Sequence, residues 1–482
     1  MKKEQRKESS VVSARSSDSK LGNPGIVDSS GSRAVQTTKV QAIILTLALI
    51  GAFLGVLDTS IVYTGTVKMA AQLHLNANAL SWVQVSYALT YAGFMLVGGK
   101  LGDIYGRKIL FNASLIIFGV GSLAVGAATN AAMMIGFRAL QGIGAAILAP
   151  NCLALLTDTF KGKARQRVIG YYASVIGAGA AIGLVIGGFF ATFASWRVGF
   201  YVNGPIAFIM VIVAAKVLPT AQHQTGKVDW LGTILSILAM TSISYGLDGS
   251  PWPLPTLILS LFLWIAFIIS QGRVSQPTMP LEIFEDKERS ASYLSSLLFS
   301  AAGIGFWFYT PQFMQKALGY NPFITALGMV PMAILLFVVA VRARKLVARW
   351  GNSRVMLIGF VIVLISMIEL AAISHLANYW LLLIGTLGFA IGFALAFATL
   401  ATSGLARIRP EVSGAASGVY NTARQFGGAF GLAVFAATTA NSVKIADVFG
   451  QTMLIGAGLT LIGLVLVLTL IMPVQKKLSL SA

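Results

Sequence analysis

The chain has 482 residues, of which 56% are hydrophobic and only 11% are charged, and its formal net charge is +19. Soluble globular proteins carry roughly 25% charged residues, so this composition excludes an ordinary soluble domain. One cysteine excludes an intramolecular disulfide, and three scattered histidines form no metal-binding motif. The positive charge alone would allow nucleic-acid binding, but the cations lie between long apolar runs, which favours a membrane protein.

Residues 1–38 are rich in Ser, Lys, Glu and Gly and almost lack aromatic residues, which predicts a disordered cytoplasmic tail. Between residues 41 and 473 the chain contains fourteen apolar runs. Each run is long enough for a helix to cross a hydrocarbon core about 30 Å thick. Because the runs lack the period-2 alternation of a barrel, they predict an all-α integral membrane protein with fourteen transmembrane helices.

The spacing of the runs predicts an arrangement of six helices, two helices and six helices. Residues 39–218 would form the N-terminal half, residues 219–290 two additional helices with flanking cytoplasmic loops, and residues 291–474 the C-terminal half. Residues 475–482 would form a second cytoplasmic tail. A basic loop with a glycine precedes the third run of each half, which indicates weak internal symmetry and therefore two pseudo-symmetric six-helix halves.

Most of the 35 Lys and Arg residues lie in the N-terminal tail, in alternate loops and at the C-terminus. By the positive-inside rule, this asymmetry predicts a multi-pass protein of the bacterial cytoplasmic membrane with both termini in the cytoplasm. Orientation and contact with anionic headgroups account for the basicity better than nucleic-acid binding does. We expect a monomer in the lipid bilayer with no nucleic-acid partner.

The stretch Gly98–Lys108 contains four glycines, one acid and three cations between the second and third runs. It predicts a tight cytoplasmic loop in which the acid pairs with a cation or accepts hydrogen bonds from a helix N-terminus, while the glycines allow close backbone approach. We expect a conformational latch formed by Gly99, Asp103, Gly106, Arg107 and Lys108.

Asp58, Arg138 and Glu369 are charged residues inside the runs, where charge is costly and often functional. At 1.5 Å per residue, Asp58 lies roughly 28 Å along the first helix and Arg138 about 12 Å into the fourth, so the two are expected at compatible heights. Glu369 lies in the outer half of the eleventh run. The three predict proton coupling, with Glu369 also a candidate cation site. The alternatives are interfacial positions for the two acids and a purely structural role for Arg138.

Five short stretches resemble motifs of the major facilitator superfamily, and in particular of its fourteen-helix drug:proton antiporter branch. They are the loop Gly98–Lys108, the first-helix stretch Leu57–Val62, the second-helix stretch Ser81–Tyr87, the fourth-helix stretch Arg138–Ala146 and the thirteenth-helix stretch Asn421–Gly428. They occur in the order that the family shows. The last of them implies that Arg424 lies at a cytoplasmic helix end.

The resemblance implies the major facilitator fold and a secondary active exporter that works by alternating access. Its cargo would be lipophilic compounds, expected to be cationic, exchanged for protons through Asp58, Arg138 and Glu369. It implies no enzyme activity, no catalytic residue, no metal and no cofactor, with the proton gradient as the energy source. The alternative is a transporter of the same fold for an amphipathic metabolite, peptide or lipid, without strict proton coupling.

Glycines in the fifth run fit the antiporter motif of the same family, and we expect them to pack closely on a neighbouring helix. They are Gly179, Gly183, Gly187 and Gly188. The central proline of the motif is replaced by Leu184, which keeps the uncoupled alternative open.

Aromatic residues within the second and ninth runs are candidates for the wall of a cavity that holds flat lipophilic cations. They are Tyr87, Tyr91, Phe306, Trp307 and Tyr309. Packing within the helical bundle is the alternative for each of them.

Overall fold

The computed structural model describes residues 39–219, 226–409 and 412–475. The predicted tail 1–38 and all but the first residue of the predicted tail 475–482 lie outside the described residues. The described residues form fourteen α-helices, and no β-strand is present in these ranges. The helices are α1 Lys39–Leu73, α2 Ala77–Tyr105, α3 Arg107–Ala127, α4 Ala131–Thr159, α5 Gly162–Phe193, α6 Trp196–Val217, α7 Trp230–Leu247, α8 Pro253–Arg273, α9 Lys287–Lys316, α10 Pro322–Trp350, α11 Asn352–Ala372, α12 Tyr379–Gly404, α13 Ser413–Thr439 and α14 Ile445–Leu466.

Thirteen of these helices are long and apolar enough to cross a membrane, and α14 counts among them together with the turns that extend it to Gln475. The exception is α13, whose first half carries Ser, Asn, Thr, Arg and Gln between small residues. It packs along α2 and α9 inside the bundle, which is why so polar a helix is accommodated. The prediction of an all-α fold with fourteen helices is confirmed.

The two sets of six helices pack in the same pattern. In the first set α2 and α3 contact α4, α1 contacts α5, and α3 contacts α6; in the second set α10 and α11 contact α12, α9 contacts α13, and α11 contacts α14. The contacts between the sets also correspond, because α5 packs on α10 and α13 packs on α2. This correspondence is the internal symmetry that the two basic stretches indicated.

Single glycines join α2 to α3 and α10 to α11. Gly106 has φ 91° and Gly351 has φ 84°, a backbone conformation that side chains with a Cβ rarely adopt. The prediction of a loop over Gly98–Lys108 is therefore wrong in extent, because every residue of that stretch except Gly106 is helical. We call the end of the bundle that holds Gly106 and Gly351 the near end, and the opposite end the far end.

The two halves meet closely at the far end and diverge towards the near end. The buried residues of α5 run from Gly179 to Ala191 with only Val168 before them, and those of α10 run from Pro322 to Ala333 with only Ala343 after them. Since α5 begins and α10 ends at the near end, both helices are covered in their far portions and exposed in their near portions. The space between the halves is therefore open towards the near end.

Of the two additional helices, α7 packs on α2 and α13, and α8 packs on α7. At the far end the buried Asp248 carboxylate accepts hydrogen bonds from Asn78 and, at 2.6 Å, from Ser81, while its backbone carbonyl accepts one from Trp82. Near the middle a Cβ on Gly93 would collide with Ile237, so α7 lies directly against α2. The polar contacts of the pair are thus made with α2 of the N-terminal half, while α7 also touches α13 of the other half.

Candidate functional site

A buried ion pair lies between α1 and α4. Nη1 of Arg138 donates a hydrogen bond of 2.5 Å to Oδ2 of Asp58, and both side chains are fully buried. The second carboxylate oxygen accepts a hydrogen bond of 2.6 Å from Nε2 of Gln141, whose own Oε1 accepts one of 2.8 Å from Arg138. The two charges expected at compatible heights are in direct contact.

The other groups around Arg138 come from α2. Its Nε donates to the backbone carbonyl of Val83 at 3.2 Å, and its Nη2 donates to Oε1 of Gln84 at 3.3 Å. The ring of Tyr87 lies under the guanidinium, 4.1 Å from ring centroid to Cζ. Arg138 therefore ties together α1, α2 and α4, and any change in the charge of Asp58 alters contacts in three helices at once.

Two glutamines that were not among the predicted site residues complete this cluster. Gln141 follows Arg138 by three positions, so both side chains fall on one face of α4. Gln84 lies in the middle of the second-helix stretch Ser81–Tyr87. An amide one helical turn from an intramembrane charge is a signal that the sequence contains, and it points to Gln141. The contact between Gln84 and Arg138 depends on how α2 is rotated against α4, which the sequence does not show.

A cavity of about 90 Å³ lies beside this cluster, between the two halves. The residues that line it on the N-terminal side are Thr59, Tyr63, Gln84, Val85, Tyr87 and Ala88, and those on the C-terminal side are Ile304, Gln425, Gly428, Ala429 and Leu432. Sites for drug-sized ligands measure about 300–1,000 Å³, so a compound of that size fits only after the halves separate further at this level.

The aromatic candidates separate into two groups. Tyr87 lines the cavity, and Tyr91 packs on it with ring centroids 5.8 Å apart. Trp307 is stacked on the cavity residue Tyr63 at 6.4 Å. The other two, Phe306 and Tyr309, have the contacts of the packing alternative. Phe306 is fully buried and stacks on Phe389 at 3.8 Å, and Tyr309 packs on Phe435 at 6.4 Å.

Glu369 lies apart from the ion pair, in the last turn of α11. Its carboxylate faces Gly385 of α12, and its buried Oε2 atom has no hydrogen-bond partner among the described residues. It is absent from the lining of the cavity. The structure thus does not bring Glu369 together with Asp58 and Arg138, and its predicted part in coupling gains no geometric support.

Some of the residues expected to form a latch are in contact at the near end. Arg107 forms an ion pair with Asp103, places its Nε 3.6 Å from Asp158 of α4, and donates a 3.2 Å hydrogen bond to the carbonyl of Gly99. Within the described ranges, Lys108 forms no ion pair. The close backbone approach occurs at Gly98, where a Cβ would lie 2.8 Å from the carbonyl oxygen of Ala146. At Gly99 a Cβ would meet only Pro150, at 3.9 Å.

The glycines of α5 pack as a stripe. A Cβ on Gly183 would lie 2.8 Å from Oγ of Ser60, and one on Gly187 would lie 2.9 Å from Cα of Ile61, so this face lies against α1. Gly179 faces Phe53 of the same helix, at 3.2 Å. Gly188 points instead to the C-terminal half, where a Cβ would lie 2.6 Å from the carbonyl oxygen of Pro322. Leu184, in place of the motif's proline, is buried, and α5 continues through it.

Arg424 lies in the interior of α13 and not at a helix end, which corrects the position implied by the family resemblance. The helix begins at Ser413, eleven residues earlier. The polar first half of the helix is packed inside the bundle together with the apolar second half.

Two pseudo-symmetric six-helix halves, a buried ion pair and a cavity between the halves form the architecture of an alternating-access transporter. A profile of the Major Facilitator Superfamily matches residues 48–432. The chain belongs to the Major Facilitator Superfamily. This membership confirms the resemblance inferred from the five motifs and identifies the protein as a multi-pass membrane transporter.

Characterised relatives of this superfamily transporter include export and resistance proteins. It is 33% identical to a cephamycin export protein of Amycolatopsis lactamdurans, over 84% of this chain and 87% of the relative. It is 29% identical to a puromycin resistance protein of Streptomyces alboniger, over 84% of this chain and 83% of the relative. The crystal structure of a D-xylose-proton symporter matches with a TM-score of 0.69 at 15% identity, covering 89% of this chain and 98% of the symporter, and thus shares the fold.

Proposed function

We propose that this superfamily transporter exports lipophilic, drug-like compounds in exchange for protons, with Asp58 as the proton-carrying group. The observation that carries the proposal is the fully buried contact between Asp58 and Arg138 beside the cavity. The relatives that act in cephamycin export and puromycin resistance support a drug-like cargo.

Protonation of Asp58 would remove the charge that holds Arg138. The guanidinium would then be left buried without a counter-charge, a state that costs several kcal/mol unless the surrounding helices rearrange. Because Arg138 also contacts Val83 and Gln84 of α2, the rearrangement would be transmitted to the helix that packs on α13 of the other half. Proton binding would in this way bias the choice between the two access states.

The direction of transport follows from the placement of charge. The near end carries the basic stretches around Gly106 and Gly351, so we place it in the cytoplasm of a bacterial cell, with both termini on the same side. The arrangement that is open at the near end would then be the state that takes up cargo from the cytoplasm. Release would occur after the halves close at the near end and separate at the far end.

The test uses purified transporter in liposomes with an imposed pH gradient and follows two lipophilic dyes, ethidium and a rhodamine with a free carboxylate. The proposal predicts dye movement that depends on the gradient and stops when an ionophore dissipates it. Dye movement at the same rate without a gradient would instead favour an uncoupled transporter of the same fold.

A further inference from the structure

Arg424 is a half-buried cation in the middle of α13, and no counter-charge contacts it in the described part of the chain. No carboxylate within the described ranges forms an ion pair with it. Its Nη2 donates one long hydrogen bond of 3.5 Å to Oδ1 of Asn421, and its buried Nε has no hydrogen-bond partner in the described part of the chain. The ring of Phe397 lies 5.3 Å from its Cζ. Arg424 is half-buried, and most of the hydrogen-bonding capacity of its guanidinium is not used by protein groups in the described ranges, which leaves it free for a ligand.

Arg424 does not itself line the cavity but lies within one helical turn of residues that do. Gln425, Gly428, Ala429 and Leu432 of the same helix line the cavity. Arg424 precedes Gly428 by four residues, so it lies on the same face of the helix, one turn closer to the start of α13. Since α13 begins at the near end, Arg424 lies on the open side of the cavity.

The charges around the cavity sum to a positive value. Arg138 neutralises Asp58, and the Asp58 oxygens already accept hydrogen bonds from Arg138 and Gln141. The residues that line the cavity are uncharged, which leaves Arg424 as the unbalanced charge among the described groups around it. In a region of low dielectric constant, a single unbalanced cation attracts an anionic group and repels a cationic one. This balance is opposite to what a cationic cargo requires.

We propose that the cargo is an amphipathic compound with a carboxylate or another monoanionic group, and that Arg424 binds that group. A guanidinium forms bidentate hydrogen bonds with a carboxylate, which are stronger than those between neutral groups. The lipophilic part of the cargo would lie against the aromatic side of the cavity, formed by Tyr63 and Tyr87. The inference rests on the proposed function only in taking this cavity as the transport site.

The test measures equilibrium binding to the purified full-length chain in lipid nanodiscs, without a pH gradient. The probes are a rhodamine with a free carboxylate and its methyl ester, which share the ring system and differ in the anionic group. The wild-type protein should bind the acid about tenfold more tightly than the ester, which is the ratio expected for one charge-assisted pair. Arg424→Gln should abolish this preference by weakening binding of the acid alone.

Two further variants make the result specific. Arg424→Lys keeps the charge but loses the bidentate geometry, so it should retain part of the preference for the acid. Arg354→Gln removes an exposed cation at the near end and should bind both probes as the wild type does. Equal affinity of the wild type for the two probes, equal losses for both in Arg424→Gln, or binding of neither probe would overturn the proposal. Because no gradient is applied, these outcomes are independent of whether transport is proton-coupled.

Discussion

Asp58 and Arg138 lie 80 positions apart in the chain, yet their side chains meet at 2.5 Å in a fully buried contact. Truncating one member of a buried ion pair leaves the other charge uncompensated and typically costs about 3–5 kcal/mol. We therefore expect Arg138→Gln to lower the melting temperature strongly in detergent. The double variant Asp58→Asn with Arg138→Gln should recover much of the loss, because no charge is then left unpaired.

A melting temperature for the double variant that equals the sum of the two single losses would show that the residues act independently. That result would contradict the idea that their contact links α1 to α4. Arg197→Gln provides a matched cation control, because Arg197 donates to the backbone carbonyls of Gly126 and Ala128 and contacts no carboxylate in the described residues.

The packing of α5 on α1 predicts a position-specific effect of adding side chains. A Cβ on Gly187 would lie 2.9 Å from Cα of Ile61, whereas one on Gly170 of the same helix would meet nothing within 4 Å. Gly187→Val should destabilise the protein by about 1–3 kcal/mol through overpacking and lower the transport rate. Gly170→Val should leave both close to wild type. Equal effects at the two positions, measured as melting temperature and initial rate, would contradict the close contact.

The one-residue joints between helices predict a backbone effect that is separate from packing. Gly351 has φ 84° with open space around its Cβ position, so Gly351→Ala tests conformational strain alone. We expect a loss of about 1–3 kcal/mol for it and a comparable loss for Gly106→Ala, which has φ 91°. Gly414→Ala, in helix α13 and also in open space, should be neutral or slightly stabilising. A neutral Gly351→Ala would contradict the positive-φ joint.

The attachment of the two additional helices depends on Asp248. Its carboxylate accepts hydrogen bonds from Asn78 and Ser81, and Asp248→Ala would leave both donors without this acceptor, at a cost of about 1–3 kcal/mol. Asp447→Ala removes an acid that is 39% exposed and should cost less. The measurement is the melting temperature of each of the two variants relative to the wild type. Similar values would indicate that α7 and α8 are held by apolar packing alone.

Asp248 also predicts a pH dependence. Burial raises the pKa of its carboxyl above the ordinary 3.8, while the hydrogen bonds from Ser81 and Asn78 oppose the rise. Because folding favours the protonated form, this contribution to stability is fully present below pH 3.8 and is lost as the pH rises through the raised value. Asp248→Asn, which cannot titrate, should lack this part of the pH profile of the melting temperature. An unchanged profile would contradict the assignment.

The sequence predicted the parts of the fold that depend on local composition. The apolar runs predicted the helices. The rise per residue of a helix predicted that Asp58 and Arg138 lie at compatible heights in the membrane. Local patterns could not show that a single residue, Gly106, replaces the expected loop, because helices in this fold extend beyond the hydrocarbon core. Local patterns also could not show which aromatic residues lie near the cavity and which lie in the core. Phe306 and Trp307 are adjacent in the chain, yet their side chains point to different environments.

The position of Arg424 was wrong for a different reason. It was taken from the family resemblance and not from the helix itself, whose first half is small and polar. In the folded protein these residues pack on α2 and α9, so helix α13 is held by its neighbours and not by lipid. Charge balance around the cavity depends on which cations have partners, and this becomes visible only when distances between helices are known.

Proton release on cargo binding tests the central claim most directly. The purified transporter, in weakly buffered solution with a pH-sensitive dye, would receive the better-bound of the two rhodamine probes. The account predicts that the wild type and Asp103→Asn, an acid variant at the near end, release protons, whereas Asp58→Asn binds the probe and releases none. Proton release by a folded, probe-binding Asp58→Asn variant equal to that of the wild type would contradict the role of Asp58.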